Sequence, residues 1–143
     1  MNAIRYHHPH IRNLIHTTTT ILTRALSFQY GELVLAIDRK NRSRLFKLRE
    51  NGYYEGHSGK IPHDLIVGNQ PSENFKTNIG LRLLLKRPSL EEYVLLTRRR
   101  ANIMYPKDVW AVVGLMDISE GSKVIEAGTG SGSLTLHLSR AGI

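Results

Sequence analysis

The segment Lys123-Val124-Ile125-Glu126-Ala127-Gly128-Thr129-Gly130-Ser131-Gly132-Ser133-Leu134-Thr135 sets the architecture expected of this chain. Val124 and Ile125 follow a turn at Glu120-Gly121-Ser122 and read as a short buried strand; Ser133 to Leu138 reads as the start of a helix. Between them lie three glycines at alternate positions. Such a loop lets backbone approach a ligand closely, and the helix N-terminus behind it favours negative charge. Spacing limits the ligand. The dinucleotide fingerprint needs a glycine-like residue three after the second glycine, where this chain has Ser133, and the P-loop needs Gly-Lys-Ser/Thr, whereas no Lys follows Gly132. A different nucleotide-binding turn, or a purely structural one, stays open at this point.

The chain has 143 residues, room for one ordinary domain, with 41% hydrophobic content. No apolar run approaches the roughly 20 residues that span a membrane, so no membrane partner is expected. Cys is absent, which excludes a disulfide framework, a thiolate metal site and a cysteine nucleophile. The formal charge of +8 points to an anionic partner, nucleic acid first.

Residues 1–27 look like a targeting or disordered segment. No Asp or Glu precedes Glu32, while Arg5, Arg12 and Arg24 accompany the run Thr17-Thr18-Thr19-Thr20. Ile11, Leu14, Ile15, Leu22, Ala25 and Leu26 recur at helical spacing. That composition fits a mitochondrial transit peptide, with a basic tail and a nuclear destination as the alternative. His7, His8 and His10 have no carboxylate nearby, and no metal is expected there.

Residues 28–87 read as a small β domain. Leu33 to Ile37, Leu45 with Phe46 and Leu48, Tyr53-Tyr54, Leu65 to Val67 and Leu81 to Leu85 form short apolar runs divided by turn residues such as Asn51-Gly52. A β-barrel or β-sandwich module follows, with many Arg and Lys at its polar positions. From Pro88 the texture changes. Ser89 is placed to cap a helix that has Glu91 and Glu92 in its first turn. Arg98-Arg99-Arg100 is the densest charge run and could clamp phosphates or stand as a solvated edge. Asp108 is placed to cap a helix bearing Val109, Trp110, Val112, Val113, Leu115 and Met116, apolar around most of its circumference and so expected to be packed between other elements.

Four segments in order carry a resemblance: Gly59 to Gly68, Arg87 to Leu96, Ile103-Met104-Tyr105-Pro106-Lys107-Asp108, and Val124 to Gly132. Together they resemble the catalytic subunit of the tRNA (adenine-N1)-methyltransferases that modify the T-loop adenine, over about Phe28 to Ile143. The resemblance implies an α+β chain: a small N-terminal β-barrel-like domain, then a linker and the first strand and helix of a Rossmann-like methyltransferase domain over 88–143. It implies S-adenosylmethionine as cofactor, with Gly128, Thr129, Gly130, Ser131 and Gly132 at its methionine end. Glu126 would hold that loop, and Tyr105, Pro106, Lys107 and Asp108 would close from the N-terminal side. The partner implied is tRNA, in a homo-oligomer or with a sister subunit; its contact with Arg98, Arg99 and Arg100 is inferred from charge.

The family's ribose-binding acid and its adenine-engaging aspartate fall beyond Ile143, so no catalytic residue is assigned, and the chain alone is expected to be inactive. A parallel partner for the Val124 strand needs a crossover of a dozen or more residues. The β module is therefore expected to fold, with 106–143 poorly ordered or leaning on it. Two alternatives remain: a non-catalytic tRNA-binding module or subunit, and another Rossmann-like methyltransferase.

Overall fold

A computed structural model of the chain describes residues 26–97 and 102–142. The amphipathic pattern and histidines of 1–25, and Arg98, Arg99 and Arg100, lie outside the described residues.

Six strands build the first domain: β1 Leu33–Ile37, β2 Ser43–Lys47, β3 Tyr53–Gly56, β4 Gly59–Pro62, β5 Ser72–Lys76 and β6 Arg82–Lys86. Four form one antiparallel sheet in the order β2-β1-β6-β5, and β3 and β4 form a separate hairpin. The expected barrel-like domain thus takes the form of an open sheet with β2 and β5 as its edges. In β1 the three middle residues Val34, Leu35 and Ala36 are all buried, as befits a strand covered on both faces. Its register with β2 (Val34 opposite Phe46) and with β6 (Ala36 opposite Leu85) lines up one apolar face. That face, with Phe28, Leu48, Tyr54, Ile61, Ile66 and Leu83, makes the core.

Two readings of the strands change. Leu65-Ile66-Val67 is no strand: a 3-10 turn at His63–Leu65 leads into turns, because the amides of Ile66 and Val67 both donate to the His63 carbonyl. Only Ile66 enters the core; Leu65 is 64% exposed. Conversely, the polar run Ser72–Lys76 is the edge strand β5, with a bulge between Ser72 and Phe75.

His63, directly after β4, is buried and stacked 5.2 Å from the Phe46 ring. Its Nδ1 accepts from the Arg49 amide at 3.1 Å, while buried Nε2 has no partner among the described residues. Burial pushes its pKa below the usual value. Protonation therefore favours the unfolded chain, so the stability it contributes is present above pH ~6.5 and lost as pH falls through the lowered value. Asp38, whose carboxyl the Arg42 guanidinium holds down at about 2, adds nothing in that window. Melting temperature should be flat from pH 8 to 7 and fall between 6.5 and 5; His63→Gln should flatten that acid limb.

Three helices follow: α1 Leu90–Leu96, α2 Pro106–Leu115 and α3 Ser133–Arg140. Ser89 and Glu92 form a full capping box on α1, a cap typically worth about 1 kcal/mol. Lys86 reaches Glu92 at 2.6 Å and so ties β6 to this helix. Helix α1 packs on β2, α3 packs on α1, and α2 packs on α3. Through α1, the segment from Pro106 onward is connected to the β domain.

Here too expectations are corrected. Asp108 does not cap α2; the helix starts three residues earlier than such a cap would place it, with Tyr105 as N-cap and Pro106 in the first turn, where a missing N–H costs nothing. Nor is α2 packed all round: Val109 is buried, but Trp110, Leu115 and Met116 are 52%, 88% and 65% exposed. Val124 and Ile125 belong to no strand or helix, and Ile125 is 98% exposed. The apolar run has strand character, but no described segment lies alongside to hydrogen-bond with it.

Candidate functional site

The glycine loop earns its composition from backbone geometry. Gly128, Gly130 and Gly132 have φ of 76°, 57° and 78°, left-handed values that side chains with a Cβ adopt only with strain. Gly132 is also the N-cap of α3, so the last left-handed step turns the chain directly into the helix. The first-turn amides of α3 lack intrahelical acceptors and give this end a partial positive charge.

Two hydroxyls fix the helix start. Ser133, buried, donates from Oγ to the Met104 carbonyl at 2.5 Å, which draws the segment before α2 against the loop. Thr135 Oγ1 donates to Glu126 Oε2, joining the segment before the glycine loop to the first turn of α3. One turn further along the same face of α3, buried His137 donates from Nδ1 to the Ser133 carbonyl at 2.7 Å and meets the Trp110 ring edge-on at 6.1 Å. That contact sets α2 beside α3.

A cavity of about 510 Å³ lies between these pieces. Asn102, Ile103, Met104 and Asp108 line one side; Glu126 to Ser131, Ser133 and Leu134 line the other. A Cβ added at Gly128 would meet nothing within 4 Å, and at Gly130 only the Gly128 carbonyl at 3.8 Å. The space over the loop is open, so glycine is required there by backbone angle. No described lining residue is Lys or Arg, whereas two, Asp108 and Glu126, are carboxylates. An anionic group in this cavity would be held by helix amides, and a cationic group could sit near a carboxylate. That combination suits a zwitterionic, amino-acid-like ligand better than a polyphosphate.

Of the residues singled out in the sequence, the cavity brings together Glu126, Gly128, Thr129, Gly130, Ser131 and Asp108. Gly132 shapes the loop without lining the cavity, and Tyr105, Pro106 and Lys107 lie beside it in chain order, also outside the lining. Asn102, Ile103, Met104, Ser133 and Leu134 also line the cavity, and none of them was among the site residues expected from the sequence. The signal for Ser133 was there: a small hydroxyl residue directly after the last glycine, at the first helical position.

Comparisons with known proteins converge on one group. A family model described as the tRNA methyltransferase complex GCD14 subunit matches residues 82–142, and one described as TrmI-like N-terminal matches residues 27–72. The chain is similar to the tRNA (adenine(58)-N(1))-methyltransferase TrmI of Thermus thermophilus, 45% identical over 111 residues, 78% of this chain and 43% of that protein. It is 29% identical over 114 residues to the catalytic subunit TRM61 of Cryptococcus neoformans, covering 78% of this chain and 26% of that one. The solved tRNA (m1A58) methyltransferase TrmI from Aquifex aeolicus superposes with a TM-score of 0.64 at 34% identity, covering 81% of this chain and 45% of that one. A SAM-dependent O-methyltransferase from Thermotoga maritima superposes with a TM-score of 0.76 at 28% identity, covering 82% and 44%. The chain thus spans less than half the length of these relatives, and its mixed sheet-and-helix architecture is that of the α+β, Rossmann-like methyltransferases.

Proposed function

Because this chain belongs to the tRNA (adenine-N1)-methyltransferase family, matched over residues 27–72 and 82–142, we propose that it supplies the β domain and cofactor loop of an S-adenosylmethionine-dependent enzyme that methylates N1 of the T-loop adenine of tRNA. The observation that carries the reading is the cavity over Gly128 to Ser131, walled by Ser133 and Leu134 of the first turn of α3 and by two carboxylates, with no described cation. S-adenosylmethionine, when bound, supplies a methyl group on a sulfonium, already electrophilic, so the protein's share is alignment and electrostatics.

In this chain the first-turn amides of α3 would take the carboxylate of the methionine part. Gly128 and Gly130 let the loop backbone run against the ligand without side chains intervening. Glu126, held by Thr135, and Asp108 give the cavity negative potential that suits an ammonium or sulfonium. Ser133, through its bond to Met104, holds the two walls at a fixed separation. Pairing with a sister subunit or a second copy belongs to the same reading, on the ground of the family. A mitochondrial destination rests on the acid-free composition of residues 1–30.

Calorimetric titration of the 143-residue chain tests the cofactor assignment. Saturable binding of S-adenosylmethionine, displaced by S-adenosylhomocysteine and not by NAD or ATP, is expected. No binding, or preference for a dinucleotide, would overturn it.

A further inference from the structure

On the β domain, far along the chain from the glycine loop, two cavities of about 320 and 160 Å³ adjoin one another, with Asp38, Arg39 and Arg82 in both walls. Arg39, Lys40 and Arg42 come from the β1–β2 turn and Arg82 from the start of β6, which the sheet order places next to β1. All four are exposed. Of the acids in these walls, Asp38 is committed: its carboxylate takes the Arg42 guanidinium at 2.6 Å, the amides of Lys40 and Arg42 at 2.8 and 3.0 Å, and Ser58 Oγ at 3.2 Å. The other, Glu73, makes no ion pair among the described residues.

Asp38 thus neutralises Arg42 and fixes the turn, while Arg39, Lys40 and Arg82 make no ion pair among the described residues. Arg82 also stands directly opposite Lys76 across the β5–β6 pair, and like charges opposite each other destabilise a sheet. Stability alone gives no reason to keep that arrangement. Ile37 and Leu84 add an apolar floor to the larger cavity, beside Arg82, Asn41 and Asn74. Exposed cations, unpaired among the described residues, around an apolar floor match an RNA strand, whose phosphates are evenly spaced and whose sugars and bases are partly apolar. A lipid surface would call for a cluster of protruding apolar side chains, and these walls offer only the half-exposed Leu81.

We propose that Arg39, Lys40 and Arg82 form a phosphate-binding surface through which the β domain grips the tRNA backbone away from the methylated base. The inference rests on the tRNA reading above and adds a location to it. Asp38 is a positioning residue for this surface.

The test measures binding of an unmodified tRNA transcript to the full chain by fluorescence anisotropy across a salt series. The triple variant Arg39→Ala/Lys40→Ala/Arg82→Ala should lose at least tenfold in affinity. The slope of log affinity against log salt should fall by about 2 to 3, at about 0.7–0.9 for each phosphate no longer neutralised. A charge-matched control, Lys47→Ala/Lys123→Ala/Arg140→Ala, removes three exposed cations elsewhere and should lose less than threefold. Since Arg82 is repelled by Lys76, the triple variant should melt no lower than the parent, and the single Arg82→Gln variant gives the same readout in smaller measure. Equal losses in triple and control variants, or no loss in the triple, would overturn the surface while leaving the tRNA reading in place. No tRNA binding by the parent chain would overturn both, and tighter binding to phosphatidylserine vesicles than to tRNA would assign the patch to a membrane instead.

Discussion

Replacing Gly130 with valine should weaken S-adenosylmethionine binding by at least 100-fold, about 2.7 kcal/mol, without unfolding the β domain. Two effects add. At φ 57° a non-glycine residue is strained by about 1–2 kcal/mol, and a β-branched one more so, and the loop can relieve that strain only by leaving the shape that forms the cavity wall. If the loop does hold, the valine methyls stand in the space that a ligand would fill, since Gly130 lines the cavity and only the Gly128 carbonyl lies within 4 Å of its added Cβ. Gly130→Ala separates the two. Alanine carries most of the backbone strain but little of the bulk, so it should lose less than valine does. Calorimetry reads the affinity and far-UV circular dichroism reads the fold; full affinity in the valine variant would mean that the ligand sits elsewhere.

The largest effect on stability is expected at Phe28. Its side chain is fully buried, its ring meets Phe75 edge-on at 6.3 Å, and the Arg87 guanidinium lies 5.5 Å over its face. Its amide donates to the Asn69 carbonyl and its carbonyl accepts from Gly68, both at 2.9 Å, so the segment entering the domain is clipped to the turn after His63–Leu65. Phe28→Ala leaves a ring-sized void in the core of a small sheet, where such truncations cost about 3–5 kcal/mol. Domains of this kind have a net stability of about 5–15 kcal/mol, so much of the margin would go. Phe28→Leu keeps most of the volume and should cost less than half as much. Urea unfolding followed by circular dichroism measures both; a loss under 1 kcal/mol for alanine would mean that the sheet closes over the gap.

Where a residue's local pattern and its final surroundings agree, the sequence was readable. Leu33 to Ile37 and Leu81 to Leu85 carry apolar runs and became the central strands β1 and β6, and Ser89 with Glu92 carried the cap of α1. Ser72–Lys76 gave no such sign, because an edge strand needs few apolar residues and draws its order from pairing with β6. Leu65 to Val67 misled in the opposite direction: apolar content suggested a strand, while the local bonds to the His63 carbonyl produced a turn. Val124 and Ile125 have strand composition, yet pairing depends on a neighbour that composition does not reveal. At the site, the glycine spacing was legible because backbone angle alone demands it. The wall from Asn102 to Met104 was not, since it reaches the loop through tertiary contact, the Ser133 to Met104 bond across 29 positions of sequence. The basic surface on the β domain was hidden for the same reason: Arg39 and Arg82 meet only because β6 pairs with β1.

The proposed function turns on the cavity beside the glycine loop taking the methionine end of S-adenosylmethionine. Amide chemical-shift mapping on the isotopically labelled chain during cofactor titration reads that placement residue by residue. Shifts should concentrate at 102–104 and 126–134, with the β-domain amides from Leu33 to Lys86 unchanged. Shifts centred on the β domain, or none at saturating cofactor, would contradict the placement.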